Sequence, residues 1–171
     1  MSRRRTWLYA LAWTGLVLIA PAAGAVENDP LPVPKGTPRE HAVAAYNDGV
    51  KLMLDKQFAA AQQKFEEALR LHNTLAEAHN NLAFSLRMQG AHNFDRALKH
   101  YNRALELKPT LAQAYMYRGV LFTQMGDLAR ARADYAKLLA LDDKDLAAKL
   151  EAAIAGNSGR DGYEGLAPQY E

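Results

Sequence analysis

The chain contains no cysteine among its 171 residues. That excludes a disulfide staple, a thiolate nucleophile, and lipid attachment through a cysteine beside a leader cleavage site. No glycine-rich phosphate cradle is present either. The run Asp142-Asp143-Lys144-Asp145 lacks the spaced oxygen ligands, central glycine and closing glutamate of a calcium loop, and is read as the cap of a following helix. The histidines His41, His72, His79, His92 and His100 do not fall into a ligand spacing: a helix break separates His72 from His79, and a turn plus two helical turns separate His92 from His100. The expectation is therefore no catalytic residue, no cofactor and no metal: not an enzyme.

Excess charge is missing too, once the N-terminus is set aside. Arg3, Arg4 and Arg5 precede an apolar run at residues 7–20, which at 14 residues is shorter than a span, and Ala23-Gly24-Ala25 follows as a cleavage site. Residues 1–25 are expected to be a secretory signal peptide cut before Val26, placing the mature chain in the periplasm by the general export route. With those three arginines gone, 18 of the 21 basic residues face 19 acidic ones, a net charge of about −1. No basic field argues for nucleic acid or an anionic membrane. Residues 26–37, with Pro30, Pro32 and Pro34, read as an extended linker. Residues 156–171 read as a flexible tail, solvated or docked into a groove.

What remains between those segments is periodic. Residues 42–75, 76–111 and 112–145 repeat at about 34 residues, the middle copy carrying two extra residues near Ala91 and His92. Small residues recur at the eighth position (Gly49, Ala83, Gly119) and alanine at the twentieth (Ala61, Ala97, Ala131), with an aromatic at the twenty-fourth (Phe65, Tyr101, Tyr135). Small side chains let two helix backbones approach, and the aromatic fills the gap beside them. Thr37-Pro38-Arg39-Glu40 reads as a capping box, repeated from Thr74 to Glu77 and from Thr110 to Gln113, while Asn93 and Asp127 are candidate caps of later helices. Gly90 and Gly126 close first helices. These signals predict helices near 38–55, 58–71, 75–89, 94–107, 111–125, 128–141 and 144–155.

This pattern resembles the tetratricopeptide repeat. The middle copy carries Leu82-Ala83, Gly90, Phe94, Ala97, Tyr101, Ala104 and Pro109 at that family's marker positions; Ala45, His79, Arg118 and Leu138 depart from it. The resemblance implies an all-α, right-handed solenoid over residues 38–155, three helix–turn–helix repeats closed by a capping helix at 144–155. Leu146, Leu150, Ala153 and Ile154 form the cap's apolar stripe, and Leu138 is expected to pack against it.

The resemblance also implies a concave groove lined by the first helix of each repeat. Carried over, its partner-facing positions are Tyr46, Asn47 and Met53; Glu77, Asn80, Asn81, Phe84, Arg87 and Met88; then Gln113, Met116, Tyr117 and Gln124. Only Asn81 matches the carboxylate clamp of some members, so an acidic C-terminal tail is not the implied ligand. The surface suits a protein or peptide segment with apolar anchors. The function expected is a non-enzymatic adaptor or assembly factor of the bacterial envelope, with no nucleic acid and no stable membrane insertion after cleavage. The alternative is a structural protein that forms homo-oligomers through convex faces or tails.

Overall fold

The computed structural model of the protein describes residues 36–157. The expected signal peptide, the linker up to residue 35 and the tail from residue 158 lie outside them. Seven helices follow in order: α1 (Pro38–Leu54), α2 (Phe58–Leu71), α3 (Ala76–Met88), α4 (Phe94–Leu107), α5 (Ala112–Gln124), α6 (Leu128–Ala140) and α7 (Lys144–Asn157). A 3₁₀ turn, Ala91–Asn93, precedes α4 and absorbs the two extra residues of the middle copy. α1/α2, α3/α4 and α5/α6 are hairpins stacked in sequence order, and α7 packs on both α5 and α6. The chain is an all-α solenoid of three hairpins and a cap.

Helix ends follow local chemistry only where the core leaves the cap free. At Thr37 the Glu40 carboxylate reaches back to the Thr37 N–H, with Pro38 at the first helical position. Asp127 accepts the Arg130 N–H at 3.0 Å, and Asp143 accepts the Leu146 N–H at 3.0 Å. The boxes expected at Thr74 and Thr110 do not form. α3 and α5 start one residue later, from Leu75 and Leu111, both drawn into the core. Glu77 instead pairs with Lys108 at 2.9 Å, and Gln113 accepts from Asn80. Asn93 does not cap α4 through its side chain; its amide is engaged by His92 and Arg96. The first helices of the second and third repeats end at glycines with left-handed backbone, Gly90 (φ 116°) and Gly126 (φ 77°).

The small-residue rule works differently in different copies. A methyl at Gly49 would lie 2.7 Å from Phe65 Cε1, so the aromatic of the same repeat fills that gap. A methyl at Gly119 would collide with Leu150, on the cap. Leu138, Ala147, Leu150 and Ile154 are buried together, as the cap expectation requires, with Ala147 rather than Ala153 in the stripe. α7 also runs on to Asn157, so Gly156 belongs to the helix and not to a tail. Burying a ring as large as Phe65 completely stabilises by about 1.5–3 kcal/mol.

Candidate functional site

The first helices α1, α3 and α5 lie side by side, each touching the next. Across them runs a chain of buried polar contacts. Asn81 donates to the Tyr46 hydroxyl at 3.2 Å, Asn80 donates to Asn81 at 3.1 Å, and Asn80 reaches Gln113 at 3.5 Å. Tyr46 also packs on Phe65, ring centroids 5.8 Å apart. Tyr46, Asn80, Asn81 and Gln113 were expected to face a partner; the structure buries them, and they lock neighbouring first helices together. Asn47, Met53 and Met116 are buried as well, the latter two within core clusters. Helix spacing puts a residue on a face; whether the neighbouring helix closes over it depends on packing.

The remaining expected residues stay half-exposed, and four of them, Phe84, Arg87, Tyr117 and Gln124, converge between α3 and α5. Phe84 sits between Phe58 (6.0 Å, edge-on) and Tyr117 (4.9 Å, tilted). Arg87 lies over the Phe84 ring, 5.2 Å from its centroid, and donates to Gln124 at 3.2 Å. Met88 stands one residue further along α3, and Glu77 is held at the other end by Lys108. The arrangement offers an aromatic shelf, a cation and an amide side by side, suited to holding a segment and without a nucleophile–base pair.

Two arrangements escaped the sequence reading. His79 and His100 meet across α3 and α4, Nδ1 to Nδ1 at 3.0 Å with stacked rings, whereas His72 meets Thr74 and His92 meets Asn93. Arg118 grips the buried Asp134 through two bonds, 2.6 and 3.0 Å, and Asn102 at 2.7 Å. Burial pushes the Asp134 carboxyl up even though Arg118 pulls it down. The clue was positional: His79 and Arg118 both stand where the repeat pattern is broken, and each found a polar partner on the second helix. Among the described residues no group of three or more histidines or carboxylates is arranged to hold a metal ion, and no helix is long and apolar enough to cross a membrane.

Comparison with known proteins agrees with the hairpin stack. A family model described as TPR repeat matches residues 93–126, and one described as Tetratricopeptide repeat matches residues 112–145, the third copy. Tetratricopeptide repeat protein 36 of Xenopus tropicalis is 37% identical over 52% of this chain and 45% of its own length. Photosystem I assembly protein Ycf3 of Cyanophora paradoxa is 30% identical over 67% of this chain and 65% of its own. The chain thus spans less than two thirds of the length of these relatives. The Arabidopsis OM64 TPR domain superposes with a TM-score of 0.63 at 20% identity, covering 69% of this chain and 97% of that one, a likeness of fold.

Proposed function

We propose that this chain, a tetratricopeptide-repeat protein, is a non-enzymatic adaptor of the cell envelope that holds a segment of another protein between α3 and α5 and so helps a complex assemble. The observation that carries the reading is the convergence of Phe84, Tyr117, Arg87 and Gln124 from two successive first helices on one half-exposed surface. Tetratricopeptide repeats are in general scaffolds for protein–protein interaction, and one relative is named for assembly. Site-specific photo-crosslinking tests it. A crosslinker at Met88 should trap one partner through one segment, and a crosslinker at the exposed Lys99 of α4 should not. Equal trapping from Lys99 would move the interface to the convex face.

Export belongs to the same proposal: residues 1–25 carry the three arginines, short apolar run and Ala-Gly-Ala site of a cleaved leader. Mass spectrometry of the protein from cells should find Val26 as its first residue; an intact Met1 would overturn it.

A second reading, self-association, is favoured by the C-terminal edge. Leu139 is 50% exposed, whereas its counterparts Leu69 and Leu105 are only 9% and 7% exposed. If copies join there, sedimentation should show a mass that rises with concentration and that Leu139→Glu abolishes.

A further inference from the structure

Several arginines between neighbouring helices or turns pair with carboxylates: Arg96 with Glu66 at 3.3 Å, Arg103 with Glu106 at 3.0 Å and the half-buried Arg118 with Asp134 at 2.6 Å. Arg87 differs. Among the described residues no carboxylate pairs with it, and its Nε is buried without an acceptor. One Nη donates to a neutral amide, Gln124, and the guanidinium lies on the Phe84 ring. The nearby phenol does not neutralise it. Tyr101 is fully buried, and burial holds its hydroxyl protonated, far above the usual range, against the pull of the Arg87 charge. A partly desolvated cation without a counter-charge is costly, and the cost is relieved when an anion arrives.

We propose that the segment held in the groove presents an aspartate or glutamate side chain to Arg87, with an apolar neighbour resting on the Phe84–Tyr117 shelf. The inference rests on the groove-binding reading above. A carboxylate fits better than a phosphate because one cation is unpaired there; the next basic group along the face, Lys108, is bound to Glu77. The planar guanidinium matches a carboxylate, and its aromatic support fixes the plane in which it is offered.

The test uses 12-residue peptides selected from a random display library on the chain from Val26 onward, then measured by fluorescence anisotropy. The selected peptides should share one acidic residue beside apolar ones. Exchanging it for its amide should weaken binding about tenfold or more. Arg87→Gln should cause the same loss for the acidic peptide and no further loss for the amide one, so that the two changes are not additive. Arg87→Lys should recover only part of the affinity, and Arg132→Gln on α6 should change nothing. Amide peptides that bind as well as acidic ones would overturn the proposal while leaving groove binding intact. A library that yields no binder, or binders that crosslink to the convex face, would sink both. Should Arg87→Gln lose its helical circular dichroism, the acid-to-amide exchange in the peptide decides alone.

Discussion

One proton lies between the Nδ1 atoms of His79 and His100, 3.0 Å apart. The ring Nε2 of His79 lies 3.2 Å from the Asn73 carbonyl, so that nitrogen carries the hydrogen and its Nδ1 accepts from His100. Burial lowers both basicities; the second ring and Arg96 add to the effect at His100, which falls to about 4. At His79, Arg103 also lowers it, while the Asn73 bond and Glu106 oppose; Glu66 opposes at His100. A base whose folded pKa lies below its unfolded value of about 6.5 leaves the unfolded chain holding more protons between those values. Stability contributed by the pair is therefore full above about pH 6.5 and is lost as pH falls toward 4. Urea midpoints should decline over that window, and His100→Phe should flatten the decline. An unchanged slope in the variant would assign the titration elsewhere. Asp127, whose carboxyl is held low by the Arg130 backbone and side-chain bonds, acts below 3.8, whereas Asp134, raised by burial, enters the window from its acid end with the opposite sign, favouring the fold as pH falls. Both histidines were visible in the sequence, but their meeting was not, because 21 residues separate them and only the hairpin angle brings their rings together.

Turns carry the next level of information. Lys56 has φ 59° at the place in the first repeat where the third has Gly126 at φ 77°. A side chain in left-handed backbone costs about 1–2 kcal/mol, partly offset by the entropy glycine loses on folding. Lys56→Gly is thus expected to raise stability by roughly 0.5–1 kcal/mol, read as a higher urea midpoint at constant slope; a lower midpoint would mean that the lysine side chain contributes more than its backbone costs. Inside the hairpins the tolerance reverses. Ala97 is fully buried between helices, and Ala97→Trp should cost at least about 1–3 kcal/mol by overpacking. A melting temperature equal to wild type would show that the repeat register is misassigned. The register, the glycine stops and Asp127 were readable because each depends on residues within a turn of one another. The Thr74 and Thr110 boxes misled because burial of Leu75 and Leu111 outweighs a side-chain cap contribution of about 1 kcal/mol.

Across the whole molecule, the proposed groove and the core share side chains. Truncating Phe84 together with Tyr117 would be a clean binding test if both stood free, yet Phe84 also packs on Phe58 and both rings border the core. Phe84→Ala is expected to destabilise by about 1–3 kcal/mol, less than a fully buried phenylalanine, and to weaken capture at the same time. Gln124→Ala should weaken capture with melting unchanged, since its one cross-helix bond sits at the rim. Loss of melting without loss of capture in Gln124→Ala would remove it from the groove. The cap behaves as a packing element: Leu150 closes over Gly119, so the solenoid ends on α7 while Leu139 on α6 stays open.

The sequence alone determined the period, the number and order of the helices, the small-residue positions and the cap, because all are set by spacing along the chain and by residues that must fit inside one hairpin. The family resemblance placed the candidate groove residues on the three first helices. Which of them remain open was decided only by tertiary structure. Asn80 and Asn81 share α3 with Phe84 and Arg87, Gln113 shares α5 with Tyr117, and Tyr46 stands at the matching place on α1, yet polar contacts between neighbouring first helices draw these four inward. That no carboxylate among the described residues pairs with Arg87 is likewise a property of the assembled solenoid, since a charge finds or lacks a counter-charge according to what the packed helices bring within a few ångströms of it.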